Sequence, residues 1–366
     1  MTMRRVIALL GKRDAPTDAV EEYCRYLGRA LAQHEISLEL RRVPWDSRGW
    51  SESLKDLRLQ AQSLPPYTWF LVQYTALAWS TRGFPFQFLR VLKVLRASNA
   101  CIAVVFHDVE PFPGSRLVDR FRHALQTHVM RRAVAVANRA VFTVPLEKIS
   151  WLPAGASNAV FVPVGPNLPV PSNPYAVPPA ASRLNVSTPV VAVFGITGGS
   201  AGVHETQLIL ASIRAAAQEL GKLHLCVFGR NADSAGPTLR EGIRDLPVDL
   251  SVEGVLEEAQ VVERLSTSDV LLFVRGAISS RRGSAIAGIA CGLPVIAFAG
   301  SETAAPITDA GVVLVPSDNQ DELNATLLRV LSDPTYRTEL STRSRRAFAE
   351  HFSWRSIAIR LAALLK

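Results

Sequence analysis

Two segments in the second half of the chain carry residue types that can hold a phosphate group. The first, Gly195-Ile-Thr-Gly-Gly-Ser-Ala-Gly202, runs from a predicted strand into a predicted helix. Glycines let backbone N–H groups come close to an anion, and a helix N-terminus adds its dipole. A tight turn without a ligand has the same pattern. The segment is a candidate phosphate loop, with Gly195, Gly198, Gly199 and Ser200 as its binding residues.

The second segment, from Arg275 to Ser284, combines arginines and hydroxyls ahead of a predicted apolar helix. Arginine forks match phosphate oxygens, and a helix start aimed at a diphosphate would stabilise the charge that grows on a leaving nucleotide. Solvated arginines on a surface loop are the alternative. The candidate binding residues outside the glycine loop are Arg230, Arg275, Ser280, Arg281, Arg282, Gly283, Ser284 and Ala285.

In the first half, His107 and Asp108 follow a predicted buried strand. The histidine could hydrogen-bond a substrate hydroxyl, and the aspartate could accept a proton as a general base. A capped strand end explains the same pair. Asp14 and Asp18 are secondary candidates, although Asp18 equally fits a helix cap. The four cysteines are far apart and form no Cys-x-x-Cys pair, so no metal site and no cofactor is predicted.

The elements that must position these residues alternate between strand and helix. In the first half we predict strands over Arg5–Leu10, Ile36–Val43, Tyr67–Tyr74, Ala100–His107, 141–144 and 160–163, and a helix over Asp18–Gln33. In the second half we predict strands over Val190–Phe194, Leu223–Phe228, Val270–Val274, Val295–Ala299 and Val312–Val315, and helices over His204–Leu220, Glu257–Thr267, Ser284–Cys291 and from Gln320 onward. Such alternation predicts mostly parallel sheets. The predicted fold class is α/β, with two doubly wound domains and a ligand cleft between them, at the C-terminal ends of the strands.

A proline-rich segment divides the chain nearly in half. Six prolines fall between Pro169 and Pro189, and proline blocks regular strand pairing. We predict an N-terminal domain over 1–168, a linker over 169–189, a C-terminal phosphate-binding domain over 190–345 and a final helix over 346–366.

Several motifs resemble those of GT-B glycosyltransferases of family 4. In the second half these are Ile-Ala-Cys-Gly-Leu-Pro-Val at 289–295, the segment 307–316 and Phe-Ser-Trp at 352–354. In the first half, 106–108 and 162–165 are similar to the same family. The resemblance covers nearly the whole chain. It implies two Rossmann-like domains facing each other across a cleft, a nucleotide-sugar donor in the second domain, and an acceptor against the first domain near His107 and Asp108. It also implies a final helix that crosses back to the N-terminal domain, and retention of anomeric configuration.

Four positions depart from the family pattern. Most members carry two glutamates where this chain has Ser279 and Ala287, and an Arg and a Lys where it has Ile196 and Ala201. A diphosphate without a cation would be poorly compensated in a cleft. We therefore expect Arg275, Arg281 or Arg282 to take over its charge.

The net charge of +8 is concentrated in the first half, where residues 1–169 hold 22 Lys and Arg against 13 Asp and Glu. Two segments, 84–96 and 116–139, have the pattern of basic amphipathic helices. Such helices suit docking on an anionic membrane surface, and core-packing helices with solvated stripes have the same pattern. We expect a cytoplasmic protein without a membrane-spanning helix, peripheral on the inner face of the membrane if it docks. No nucleic-acid-binding motif is present.

The leading interpretation is an enzyme that moves a sugar from a nucleoside-diphosphate sugar to a glycan or lipid-linked acceptor in cell-envelope or exopolysaccharide assembly. A non-catalytic GT-B relative that binds a nucleotide or glycan as a partner subunit is the first alternative, and the absent glutamates favour it. A nucleotide-sugar epimerase or hydrolase of the same fold is the second, and it would need no acceptor.

Overall fold

The computed structural model describes residues 3–15, 17–114, 116–170, 188–317 and 319–366. The chain divides into two compact units, one formed by Met1–Pro163 with Trp354–Lys366 and the other by Val164–Ser353. Each unit has a six-stranded parallel sheet and its own hydrophobic core. Most of the predicted linker, 171–187, lies outside the described residues.

The described residues of the first unit form six strands and five helices before the chain enters the second unit. They are β1 (Arg4–Leu10), α1 (Ala19–Leu31), β2 (Ile36–Arg42), α2 (Trp45–Arg48), α3 (Trp50–Gln62), β3 (Trp69–Tyr74), α4 (Phe88–Ala97), β4 (Cys101–Phe106), α5 (Leu117–Val136), β5 (Arg139–Phe142) and β6 (Ala159–Phe161). Short 3₁₀ helices cover Ala32–His34 and Leu146–Lys148. The strand order is β2-β1-β3-β4-β5-β6, so the direction of strand addition reverses between β1 and β3.

The second unit repeats this plan. Its elements are β7 (Val190–Phe194), α6 (Gly199–Leu220), β8 (Leu223–Phe228), α7 (Ala232–Gly242), β9 (Val248–Glu253), α8 (Glu258–Ser266), β10 (Val270–Ala277), α9 (Gly283–Ala290), β11 (Val295–Phe298), β12 (Val312–Val315), α10 (Gln320–Ser332) and α11 (Pro334–Ala347). A π-helical turn follows at Phe348–Phe352, and α12 (Trp354–Leu364) belongs to the first unit. The strand order is β12-β11-β10-β7-β8-β9, so the direction reverses between β7 and β10.

The sequence explains how the first unit packs. All six residues of β3 are buried, as expected of a parallel strand covered on both faces. Helix α1 begins after Asp18, whose carboxylate accepts hydrogen bonds from the backbone N–H groups of Val20 and Glu21. Trp354, the first residue of α12, stacks on Tyr26 and meets Tyr23 edge-on, with ring centroids 5.8 and 5.3 Å apart. The last helix is thereby fixed on α1.

The predicted fold class of two doubly wound α/β domains is confirmed. Four parts of the second unit differ from the expected elements. Strand β10 continues past Val274 to Ala277 and so includes Arg275. Helix α7 contains Pro237 and two glycines, which argue against a helix in sequence, and β9 is a half-buried edge strand with three charged or polar residues. Helix α6 begins at Gly199 rather than at His204, so the end of the glycine segment forms its first turn. Among the described helices, none has the length and hydropathy needed to cross a membrane.

Candidate functional site

The loop between β7 and α6 lies at the switch point of the second sheet, where doubly wound folds bind their ligands. Its backbone is fixed to the loop after β8: the N–H of Gly195 donates to the carbonyl of Phe228 at 2.7 Å, and the N–H of Ile196 to the carbonyl of Arg230 at 2.9 Å. The Asn231 amide donates to the carbonyl of Ile196 at 2.9 Å. The loop is therefore a rigid support.

The glycines of this loop serve two purposes. Gly195 has a φ of +77°, and a Cβ there would lie 2.9 Å from Nη1 of Arg275. Gly202 lets α6 approach the loop, because a Cβ would lie 1.9 Å from the carbonyl oxygen of Thr197. Gly198 and Gly199 are exposed, and a Cβ on Gly199 would meet nothing within 4 Å. Packing thus accounts for Gly195 and Gly202, whereas open space lies in front of Gly199 and the exposed Ser200.

Arg275 crosses from the end of β10 to this loop. It is half-buried, and its Nε is buried without a hydrogen-bond partner among the described residues. Burial lowers the pKa of its guanidinium, the charge of Glu205 counteracts this, and the charge of Arg230 adds to the lowering. Glu205 itself is buried and accepts a hydrogen bond from the backbone N–H of Thr197 at 2.7 Å. A partly desolvated cation with an unused donor makes this a favourable place for an anion.

Arg281 has a protein partner. Its Nε and Nη2 donate to the two carboxylate oxygens of Glu302 at 2.7 and 2.8 Å, in a bidentate pair. Burial raises the pKa of Glu302, but Arg281, with Ser279 and Arg282 as weaker contributors, brings it below its usual value. The predicted role of Arg281 as a phosphate ligand stays a prediction, now with a competing carboxylate beside it.

Arg282 stands at the start of α9. Its Nε donates to the carbonyl of Ala277 at 3.3 Å, and burial followed by the neighbouring charge of Arg281 lowers its pKa. Gly283 is exposed with open space around it, so the N-terminus of α9 is accessible. Of the remaining predicted residues, Ser284 is half-buried, Ala285 is buried in the first turn, and Ser280 is buried with its carbonyl accepting from the N–H of Val164 at 3.1 Å. Arg230 is half-buried and contributes the carbonyl that fixes Ile196.

The four positions at which this chain lacks the glutamates, Arg and Lys expected from the resemblance all have uncharged side chains. Ser279, Ala287 and Ile196 are buried, and Ala201 is exposed in the first turns of α6. Two carboxylates that the sequence did not single out, Glu205 and Glu302, lie in this region instead. Glu302 lies in the loop after β11, within Gly-Ser-Glu-Thr at 300–303, and a carboxylate in the loop that follows a buried parallel strand was the signal that could have identified it.

The first unit has a cavity of about 380 Å³ at the carboxyl ends of β1, β3 and β4. Its lining includes three cations and three carboxylates, namely Lys12, Arg13, Arg42, Asp14, Asp18 and Asp108, together with the polar residues Gln73, Thr75, Ser80 and Thr81. This volume and polarity suit a sugar-sized polar ligand.

The two predicted catalytic residues have different positions relative to this cavity. Asp108 lines it, and one of its carboxylate oxygens accepts a hydrogen bond from the N–H of Ala76 at 2.8 Å. His107 is hydrogen-bonded through Nε2 to Oε1 of Gln73 at 2.8 Å, and Tyr23 meets its ring edge-on at 5.0 Å. Gln73 lines the cavity, so His107 contacts a residue of the cavity wall.

Asp18 serves as the helix cap that the sequence allowed. It also pairs with Arg42 at 2.7 Å, and Arg42 pairs with Glu21 as well. Burial raises the pKa of Asp18, but Arg42 and the backbone N–H groups lower it by more than burial raises it. The net pKa lies below the ordinary value, so the carboxylate stays charged. Asp14 donates its backbone N–H to Asp18 at 3.3 Å. No group of three or more metal-ligating side chains is found in the described part of either unit.

Neither a family model nor a curated protein matches this chain. Solved structures match it over nearly its full length. A glycosyltransferase from Rickettsia africae has a TM-score of 0.72 at 12% identity, with 100% of this chain and 98% of that chain covered. Sucrose-phosphate synthase from Thermosynechococcus elongatus has a TM-score of 0.68 at 18% identity, covering 99% and 98%. Anabaena HepE, in complex with UDP and glucose, has a TM-score of 0.64 at 16% identity, covering 99% of both chains. At these identities the likeness shows the fold, which is GT-B with two Rossmann-like domains.

Proposed function

We propose that this chain is a glycosyltransferase that moves a sugar from a nucleoside-diphosphate sugar to a glycan or lipid-linked acceptor, with retention of anomeric configuration. The observation that carries the proposal is Arg275, a partly desolvated cation with an unused Nε beside the glycine loop at the switch point of the second sheet. The GT-B fold supports it, and so do the similar structures of Anabaena HepE, which are in complex with UDP and with UDP-glucose.

The donor diphosphate is proposed to lie between the loop after β7 and the start of α9. Backbone N–H groups around Gly199 and Gly283 would bind its oxygens, because both helix N-termini open onto free space. Arg275 and Arg282 would supply the positive charge. Since Glu302 occupies the fork of Arg281, we assign Arg281 a smaller share of the binding.

In the proposed reaction the bond between the sugar C1 and the diphosphate oxygen breaks, and the acceptor oxygen forms a new bond to C1. The nucleoside diphosphate leaves with the negative charge, which the two arginines and helix N-termini would stabilise. The acceptor binds in the polar cavity of the first unit. Its hydroxyl proton passes either to Asp108 or to the donor phosphate.

The chemistry of this proposal uses the nucleotide sugar as co-substrate and requires no metal. A cytoplasmic site of action is part of the proposal, and the free thiols of Cys24, Cys101, Cys226 and Cys291 support it. With a glycan or lipid-linked acceptor, the proposed role of the enzyme is in cell-envelope or exopolysaccharide assembly.

A thermal-shift screen of nucleoside diphosphates and nucleotide sugars tests the donor assignment. We expect the nucleotides of one nucleobase to raise the unfolding temperature, because a ligand at 100 times its Kd stabilises the folded protein by about 2.7 kcal/mol. UDP is the first probe, since the neighbouring HepE structures hold it. A screen in which no nucleotide shifts the unfolding temperature would overturn the proposal.

A non-catalytic binding protein is the second candidate function. Ser279 and Ala287, which replace two family glutamates, favour it. Product analysis by NMR with the identified donor separates the candidates: transfer to an acceptor supports the enzyme and also gives the anomeric configuration. Donor turnover without an acceptor indicates an epimerase or hydrolase, and binding without turnover indicates a partner subunit.

A further inference from the structure

Five large apolar side chains are exposed in one region of the first unit. We call this region the apolar tip and define it as Phe86, Phe112, Leu117, Val118 and Phe121. Leu117 is 82% exposed and Phe121 65%, and the other three are about half exposed. Single exposed apolar residues are ordinary, but a cluster of them marks an interaction site.

The segments that carry the tip are tied together by specific contacts. The guanidinium of Arg122 lies over the rings of Phe84 and Phe112, at 5.2 and 4.9 Å from their centroids. Its Nε donates to the carbonyl of Arg82 at 3.0 Å. The buried Gln126 amide donates to the carbonyl of Gly83 and accepts from the N–H of Phe112, both at 2.7 Å. The tip is therefore a preformed surface.

Cations surround the tip, and no exposed acid of α5 offsets them. Arg82, Arg116 and Arg120 are exposed. Asp119, the acid of α5, is buried and paired with Arg122 at 2.5 Å. Residues 81–136 hold nine Lys and Arg against three Asp and Glu. A partner of this surface must be both apolar and negatively charged.

The apolar side of α4, one of the two helices predicted to dock on a membrane, is not available for docking. Its residues Phe88, Val91, Leu92 and Leu95 are completely buried in the core of the first unit. The core-packing interpretation holds for this helix, and its three cations, Arg90, Lys93 and Arg96, are exposed. The combination of exposed apolar and basic side chains is found at the start of α5 and in the segments packed against it.

We propose that the apolar tip inserts into the surface of an anionic phospholipid bilayer, with the surrounding arginines on the lipid phosphates. Aromatic rings fit the boundary between headgroups and acyl chains, and cations there gain from the negative surface potential. The charge complementarity selects this partner. Docking does not depend on the proposed donor site, so its test is separate from the test of glycosyl transfer.

The test is co-sedimentation of the full chain with vesicles of phosphatidylcholine alone and of phosphatidylcholine with phosphatidylglycerol, without nucleotide. We expect binding to the anionic vesicles only. The double variant Leu117→Ser/Phe121→Ser should lower the partition coefficient about a hundredfold, because each of the two large apolar side chains contributes about tenfold when buried. Arg116→Glu/Arg120→Glu should also lower it about twenty-five-fold or more, because two cations are lost at about fivefold each.

Matched controls are exposed residues of the same unit outside the tip. Leu59→Ser/Ile359→Ser removes two side chains of 57% and 50% exposure, and Lys55→Glu/Arg58→Glu reverses two exposed charges on α3. Both should bind vesicles like the unchanged chain. Equal binding by the tip variants and the unchanged chain would overturn the proposal. A dimer that the tip variants convert to a monomer, without any vesicle binding, would also overturn it in favour of a second copy as partner.

Discussion

Glu302→Gln should lower stability and strengthen nucleotide binding at the same time. The substitution removes the charge of a carboxylate that is 12% exposed and held by two hydrogen bonds from Arg281, which is 23% exposed. Breaking a fully buried pair costs about 3–5 kcal/mol, and because this pair keeps some contact with water we expect a loss of about 2 kcal/mol. Without the carboxylate charge beside it, the Arg281 guanidinium should bind a diphosphate more strongly, and one charge-assisted hydrogen bond should raise the affinity about tenfold.

Urea unfolding measures the first effect, and calorimetric titration with a nucleoside diphosphate measures the second. Glu241→Gln is the matched control, since Glu241 pairs with Arg244 in an exposed ion pair of the same unit. Its effect on stability should stay below about 0.5 kcal/mol. Weaker nucleotide binding by Glu302→Gln, or a stability equal to that of the unchanged chain, would refute the reasoning.

The same pair sets a pH dependence. The pKa of Glu302 in the folded chain lies below its ordinary value of 4.5, so its contribution to stability is complete above that value and is lost as the pH falls through the lower, folded pKa. The Glu302→Gln variant should lose less stability over this acid range. Unfolding midpoints measured from neutral pH downward check the difference, and parallel curves for the two proteins would contradict it.

Three further predictions concern single positions. Gly195→Ala should weaken nucleoside-diphosphate binding about tenfold, because strain at its φ of +77° and contact with Arg275 displace a charge-assisted hydrogen bond. Gly283→Ala, at a position in open space, should not weaken it. Calorimetric titration compares the two variants, and equal affinities would contradict the prediction. Asp108→Asn should keep its contact with Ala76 and lower kcat about a hundredfold or more if Asp108 is the base, with nucleotide binding unchanged. A kcat within threefold of the original, or about 0.65 kcal/mol in activation free energy, would remove it from that role. Asp18→Ala should destabilise the first unit by about 2 kcal/mol, since it removes both the cap of α1 and a partner of Arg42. Urea unfolding measures this loss. A change under about 0.5 kcal/mol would show that the cap is dispensable.

Local patterns were sufficient to predict the strands that carry the site. Buried apolar runs such as Val190–Phe194 and Leu223–Phe228 have clear ends, and parallel pairing brings those ends to one edge of a sheet. Gly195, Arg275 and Arg282 could be predicted as neighbours on this basis. The start of α6 could not, because glycines favour a loop in sequence, and the close approach that Gly202 permits is visible only in the structure.

Long-range partners could not be predicted from spacing. Arg281 is predicted as a phosphate ligand because its neighbours are arginine and serine, and the carboxylate of Glu302 that it binds comes from a different loop 21 residues away. Likewise, His107 and Asp108 are adjacent in sequence and yet have different surroundings, since one contacts Gln73 and Tyr23 and the other lines the cavity. The apolar stripe of α4 fits a membrane surface as well as a core, and only its burial distinguishes them.

The most direct test of the central claim is nucleoside-diphosphate binding by the unchanged chain, Arg275→Met and Arg214→Met. Arg275 is half-buried beside Gly195, whereas Arg214 is exposed on α6 of the same unit, so the pair separates a specific contact from a general loss of charge. We predict that Arg275→Met weakens binding about thirtyfold, because a hydrogen bond to a charged group contributes about 2 kcal/mol. Arg214→Met should bind like the unchanged chain. Equal affinities for all three proteins would contradict the assignment of this loop as the donor site.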